Sequence, residues 1–242
     1  MVSVMALCVL RTGDAVASVS LRCGDFGAWI QASSEGVWQG RWIEHDARTD
    51  APLPNVAALA GVIITGSSSN VTERAAWMLR TEAYIRELTT ARIPILGICF
   101  GHQIVGQALG GHVAKNPRGR EIGTVEVTIE AADALLEGLP TPFAANASHL
   151  ESVVKLPDGA RLLGRTKLEP HAMYAVGDRI RCVQFHPEFN QVVTRGYIEA
   201  RADRILEEGG DPEGLHSRAL ETPHARSLVK RFVQEFVIRA TQ

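Results

Sequence analysis

The sequence has few cysteines, little net charge and no long apolar run. Its four cysteines, Cys8, Cys23, Cys99 and Cys182, are scattered through 242 residues. They are too few for a disulfide framework, and no tight pair suggests a zinc knuckle. That usage fits a reducing compartment, so a cytoplasmic location is expected. The 25 Lys and Arg nearly balance 27 Asp and Glu, a formal charge of -2, which leaves no chain-wide field to hold nucleic acid or an anionic membrane. The longest apolar run, residues 56–64, is nine residues long and includes Gly61, against the ~20 needed to cross a bilayer. Residues 4–10 followed by Ala15-Val16-Ala17 imitate a secretory signal only faintly, because no basic residue precedes the run and Arg11 closes it early. Neither an internal repeat nor a linker long enough to separate independent units is found, so a single domain over 1–242 is expected.

Hydrophobic residues make up 45% of the chain and charged residues 21%, which suits a globular core and excludes a disordered, collagenous or coiled-coil chain. In the first half, short β-branched runs at 4–10, 37–44, 62–65 and 93–98 alternate with helical patterns, the cadence of a parallel sheet with helices on its faces. Between the last two runs, residues 75–90 place Trp77, Tyr84, Ile85 and Leu88 near one side of a crossover helix. From 123 to 185 the pattern changes to short alternating strands, at 124–129, 152–156 and 180–185, separated by Gly, Pro and Asp. The tail returns to helix, with an apolar stripe of Leu228, Val229, Phe232, Val233, Phe236 and Val237 that should pack on the sheet. Asp211-Pro212-Glu213-Gly214 reads as a turn between two helical stretches.

The chemistry concentrates in Gly97-Ile98-Cys99-Phe100-Gly101-His102-Gln103. There a buried strand runs into a Gly-x-Cys-x-Gly turn and then into a helix carrying Ile104, Val105, Ala108 and Leu109. The glycines let a tight strand-to-helix turn close where a Cβ would not fit. A cysteine at a helix N-terminus is favoured as the thiolate, the nucleophilic form, which otherwise needs pH near ~8.5. A core cysteine at a strand end is the plain alternative, and the double-glycine frame argues against it. His186-Pro187-Glu188 supplies a base and a carboxylate to orient it. Pro187 biases His186 toward extended geometry, in which residues i and i+2 point to the same side. A surface turn is the competing reading of that tripeptide. An α/β-hydrolase would place its acid before its histidine, and here the histidine comes first. The Cys99-x-x-His102 spacing also admits a metal site completed by His149, His186 and Glu188, although zinc sites usually contain tighter ligand pairs.

These residues resemble the class I, or triad-type, glutamine amidotransferases, with Gly-Ile-Cys-Phe-Gly-His-Gln and Phe-His-Pro-Glu as the anchors of a match running from Gly61 to Glu188. The resemblance implies an α/β fold of three layers, flavodoxin-like, with a mixed, largely parallel central sheet flanked by helices. It implies Cys99 as nucleophile, His186 as general base and acid, and Glu188 as the orienting carboxylate. Gly61-Val-Ile-Ile-Thr-Gly66-Ser67 stands where the family carries its oxyanion strand, usually ending Gly-Gly-Pro, so the N–H groups of Ser67 and Phe100 would hold the oxyanion. Gly66-Ser67-Ser68-Ser69 as a phosphate turn is the alternative, and it lacks the lysine of a P-loop. Gln103 matches the glutamine that contacts substrate. Ser148-His149-Leu150-Glu151 resembles the Ser-His-Gly-Asp segment whose loop lies over it, so Gly66, Gln103, Ser148 and His149 are the expected substrate contacts. No cofactor and no metal are implied.

Glutamine would then be hydrolysed through a γ-glutamyl thioester, with the ammonia passed to a separate synthase, since the chain lacks the Ser-Gly-Gly-x-Asp-Ser motif of an ATP-pyrophosphatase. Its overall look, including Leu10-Arg-Thr-Gly13, is similar to stand-alone members related to the amidotransferase domain of GMP synthase. Self-sufficient hydrolysis of γ-glutamyl peptides or conjugates is the alternative. A non-catalytic binding protein on the same scaffold is a lesser one, weakened because no triad member is missing.

Overall fold

The structure is a computed structural model and describes residues 5–239; the expected start of the first strand at Val4 lies outside them. The chain begins with β1 (Ala6–Arg11), α1 (Ala17–Cys23), α2 (Phe26–Ser33), β2 (Arg41–Asp46), β3 (Leu59–Ile64), α3 (Ala76–Thr90), β4 (Ile95–Ile98) and α4 (Phe100–Ala108). Then follow β5 (His112–Lys115), β6 (Glu121–Ile129), β7 (Phe143–His149), β8 (Glu151–Lys155), β9 (Arg161–Arg165), β10 (Met173–Val176) and β11 (Ile180–Val183). The last part holds α5 (Gln191–Glu199), α6 (Ala202–Glu207), α7 (Pro212–Ser217) and α8 (Pro223–Phe232), which runs on into a π-helical turn, Val233–Ile238.

Among the described residues, nine strands form one mixed sheet in the order β2-β1-β3-β4-β11-β10-β9-β6-β7. Every pairing from β2 to β11 is parallel, and every pairing beyond β11 is antiparallel. A separate ribbon pairs β5 with β8. The inner parallel strands β1, β3, β4 and β11 are buried on both faces because helices cover both, whereas the edge strand β2 is polar and partly exposed. Successive side chains of β1 alternate: Leu7 and Val9 join one core cluster, Cys8 and Leu10 the other. On one side that core is closed by Met78, Tyr84, Ile85 and Leu88 of α3 and by Ile104 and Val105 of α4. On the other it is closed by Ile30 of α2 and by Leu228, Val229, Phe232, Val233, Phe236 and Val237. The tail stripe therefore packs on the sheet as its spacing predicts. Phe232 is fully buried, and its truncation to alanine is expected to cost about 3–5 kcal/mol.

Two local expectations are corrected. The strand expected at 37–44 begins only at Arg41, because Gly36 takes a left-handed φ of 78° and the Val37 N–H closes a turn on the Ser34 carbonyl. Asp211-Pro212-Glu213-Gly214 is the start of α7 and not a connecting turn: the Asp211 side chain accepts the Gly214 N–H, and Pro212 occupies the first helical position. A capping aspartate and a first-turn proline read alike in a turn and at a helix start, and here the helix continues.

Candidate active site

The carboxyl ends of the neighbouring parallel strands β3, β4 and β11 bring the predicted residues together, as expected where an open α/β sheet presents its strand ends. Cys99 follows β4 directly and precedes α4, with φ 52° and ψ -102°, a conformation L-residues seldom adopt and one that turns a side chain off the strand end. The frame around it is steric. A Cβ on Gly97 would lie 2.7 Å from the Gly101 carbonyl oxygen, and one on Gly101 would lie 2.3 Å from that of Ile64. The Gly101 N–H donates to the Thr65 carbonyl at 3.1 Å, tying the helix start to the end of β3. Cys99 is 4% exposed and forms part of the wall of a cavity of about 260 Å³.

The imidazole of His186 bonds through Nδ1 to Glu188 Oε1 at 2.8 Å, and both side chains are buried. The pairing arises in a turn and not in the extended run that the sequence suggested: the Phe189 N–H closes on the His186 carbonyl at 3.2 Å, with Pro187 presetting the turn. That turn stacks the Phe189 ring on the imidazole, centroids 4.0 Å apart, with Phe26 of α2 parallel to it at 6.0 Å. The His186 N–H is fixed to the Asn146 carbonyl at 2.7 Å. Burial opposes the charge on both members of the Cys99–His186 pair, and their mutual attraction overcomes it. Burial raises the Cys99 thiol, but the charge and hydrogen bond of His186 bring it below the ordinary thiol value. Burial lowers His186, but Glu188 and Cys99 raise it to about 10. The pairing thus shifts the balance toward thiolate and imidazolium, each charge favouring the other.

The segment after β3 is held by hydroxyls. Thr12 donates to the Thr65 carbonyl at 2.9 Å and reaches the Gly66 carbonyl at 3.2 Å, which Thr65 also contacts at 3.0 Å. Fixing the Gly66 carbonyl on that side turns the Ser67 N–H the opposite way, because the two are antiparallel across a planar peptide. Within the described chain no acceptor takes the Ser67 N–H. The Phe100 N–H is one of the unpaired donors at the start of α4. Ser67 Oγ accepts the Ser69 N–H at 3.1 Å, a side-chain turn in the place of the family's Gly-Pro. Gly66 lies under the imidazole, where a Cβ would come within 2.7 Å of His186 Cε1.

The expected substrate contacts divide. Ser148 Oγ is buried, has no partner among the described residues, and borders two adjoining cavities, the Cys99 one and another of about 270 Å³ that His186 borders. Gln103 borders the Cys99 cavity, with its NH₂ committed to the Glu151 carbonyl at 2.9 Å and to Gln184 Oε1 at 3.0 Å. His149 also borders the Cys99 cavity, but its ring nitrogens are committed within the chain. Its Nε2 bonds Glu121 Oε2 at 3.1 Å and its Nδ1 the Glu151 carbonyl at 3.0 Å, which leaves neither nitrogen for a ligand. Burial lowers its pKa, and the bond to Glu121 more than restores it. His149 thus braces the wall of the site. The segment is also no open loop: β7 ends at His149 and β8 begins at Glu151, whose carboxylate takes the Val71 N–H at 2.7 Å and the Thr72 hydroxyl. His102 turns away from Cys99 and meets the His171 carbonyl at 2.8 Å; burial depresses it to about 3. Among the described residues no cluster of three His, Cys, Asp or Glu side chains forms a metal-binding group.

Sequence reasoning missed Thr12, Phe26, Asn146, Tyr197 and Arg201. Each reaches the site through sheet order or through a helix, α2 for Phe26 and the α5–α6 region for Tyr197 and Arg201, and only Leu10-Arg-Thr-Gly13, where a Cβ on Gly13 would meet Ser67 Cα at 2.6 Å, carried a local trace.

Residues 41–201 match the family described as Glutamine amidotransferase class-I. The sequence is 29% identical to γ-glutamyl peptidase 4 of Arabidopsis thaliana over 180 residues, 72% of this chain and 70% of that protein. It is 40% identical to the glutamine-hydrolysing GMP synthase of Thermosipho africanus over 149 residues, 61% of this chain but only 26% of the synthase. A solved glutamine amidotransferase from Thermotoga maritima superposes with a TM-score of 0.76, covering 97% of this chain and 99% of that one at 21% identity, a likeness of fold.

Proposed function

The chain belongs to the class-I glutamine amidotransferase family, and from that premise we propose that it hydrolyses the γ-amide of glutamine or of a γ-glutamyl compound through a thioester on Cys99. The observation that carries this reading is the meeting of Cys99, His186 and Glu188, with the thiol lowered and the imidazole raised. The thiolate attacks the γ-carbonyl carbon, and the oxyanion forms against the Ser67 and Phe100 N–H groups, each worth about 3–4 kcal/mol in the transition state. His186, already protonated, gives its proton to the departing nitrogen, so ammonia or an amine leaves and a γ-glutamyl thioester remains. Neutral His186 then takes a proton from water, hydroxide attacks the thioester, glutamate departs, and the thiolate and imidazolium are restored. Glu188 steadies the charge on the ring throughout. One domain carries the whole site in this reading, and four unpaired cysteines support a reducing, cytoplasmic setting.

The leaving group separates the two forms of the reaction. Likeness to GMP synthase supports release of ammonia to a separate synthase. The cavity of about 270 Å³ on the His186 side is larger than ammonia requires, and together with the match spread over most of a γ-glutamyl peptidase it supports a γ-glutamyl peptide or conjugate. Purified protein offered glutamine and a panel of γ-glutamyl amides should release glutamate from at least one of them, and Cys99→Ser should release none. Glutamate release unchanged in Cys99→Ser would remove the mechanism.

A further inference from the structure

Four guanidinium groups border the two adjoining cavities: Arg48, Arg120, Arg201 and Arg204. Arg48 is spent on Asp14 and Asp46, Arg120 on Glu208 through two bonds of 2.8 and 3.1 Å, and Arg204 on Glu207. Arg201 differs. It stands at the start of α6, borders both cavities, makes no ion pair among the described residues, and keeps a buried Nη1 with no partner.

Its position is fixed without using its N–H donors. The guanidinium carbon lies 4.8 Å from the centre of the Tyr197 ring, an attraction between cation and ring face. Tyr197 packs on Phe189 at 4.6 Å, and Phe189 stacks on His186. The planar fork of Arg201 is thereby referenced to the reacting histidine while its N–H groups stay uncommitted. A half-buried, unpaired cation is costly: burial works against its charge, Tyr197 favours it, and the nearby Arg120 disfavours it again. The carboxylates bordering the two cavities, Glu151 and Asp14, are already engaged by Val71 with Thr72 and by Arg48 with Arg11. No carboxylate of the described residues pairs with Arg201, and the Cys99 charge favours its cationic form, so its uncommitted N–H groups are open to the anion of a ligand.

We propose that Arg201 binds the α-carboxylate of the γ-glutamyl group while its γ-carbonyl faces Cys99. A γ-glutamyl group carries that carboxylate four bonds from the reacting carbon, and the Cys99 cavity, bordered by Gln103, Ser148 and Arg201, holds both ends. Bidentate Arg–carboxylate pairing supplies geometry as well as charge. This assignment rests on the γ-glutamyl reading above and makes Arg201 a specificity-determining residue for it.

The test compares γ-glutamyl-p-nitroanilide with 4-aminobutyryl-p-nitroanilide, which keeps the amine and the uncharged leaving group but lacks the α-carboxylate. In Arg201→Gln, kcat/KM for the first should fall roughly 10- to 100-fold, the range of a lost charged hydrogen bond, and the second should change by less than about threefold. Arg201→Lys should recover part of the preference. Equal losses on both anilides would overturn the proposal, since a merely structural arginine or one serving the leaving group gives no such difference. Should the unaltered protein turn over no γ-glutamyl compound, the parent reading fails. Arg201 is then still tested by the rate at which Cys99 is alkylated by 6-diazo-5-oxo-L-norleucine relative to iodoacetamide. That ratio falls at least tenfold in Arg201→Gln if the assignment holds, and its constancy would overturn it.

Discussion

Cys99 and Cys182 are both buried and stand in neighbouring regions of one sheet, Cys182 paired with Gly97 inside the β4–β11 ladder and Cys99 two residues further along, at its end. Burial acts on both thiols in the same direction. Inside the ladder it prevails and pushes Cys182 up to about 12; Cys8, in the middle of β1, is raised to the same level, with Glu44 adding to the effect. At the strand end the imidazolium of His186 outweighs it. Reactivity here depends less on the residue type than on where a parallel strand stops, because only there do a glycine-framed turn, a helix start and a second strand's histidine converge.

The largest effect that tests this contrast is Cys99→Ala, which should lower glutamate release at least ~10³-fold with little change in thermal unfolding, whereas Cys182→Ala should keep most activity and lose about 1–2 kcal/mol of stability. His186→Ala comes next: activity falls roughly 10²- to 10⁴-fold, and alkylation of Cys99 at pH 7 slows because the thiolate loses its counter-charge. Glu188→Gln costs less and moves the pH profile. Activity needs the thiolate and the imidazolium together, so it declines in acid as Cys99 takes up a proton and in alkali as His186, near about 10, gives one up. Without the Glu188 charge that raises His186, the alkaline limb shifts to lower pH, as kcat/KM profiles would register. Gly66→Ala pushes a methyl onto the imidazole, and a displacement of that kind costs on the order of 10²-fold in activity with a smaller change in stability. Glu151→Gln, which loosens the cap on residues 71–72, should give the mildest change, within about tenfold in kcat/KM.

The parts of the site that the sequence made legible are those whose geometry is local. Gly97 and Gly101 are required by contacts within a few residues of Cys99 and with the adjacent strand, and His186 meets Glu188 two positions away. Ser67 was suggested only by the likeness of residues 61–67 to the family's oxyanion strand. The supports were not legible. Asn146 acts because β7 ends beside the turn after β11, donating to the Phe189 and Leu220 carbonyls at 3.3 Å. Phe26 acts because α2 crosses back over the strand ends, and Glu121 because β6 pairs with β7 and meets His149. Sequence spacing carries period and capping but not which strands become neighbours, so His149 read as a ligand contact when its partners lay 28 and two residues away. The change to short alternating strands after residue 123 was legible, including the strand at 152–156 that forms β8, but not which of them pair antiparallel, nor that β8 leaves the main sheet to pair with β5.

The most direct measurement is the pH dependence of iodoacetamide alkylation, followed at each cysteine by peptide mapping. Cys99 should reach its plateau rate at a lower pH than a free thiol does, with Cys8 and Cys182 unmodified across the range. A Cys99 rate that climbs only around pH 8.5 to 9, about where a free thiol ionises, would contradict the thiolate–imidazolium pair on which the mechanism depends.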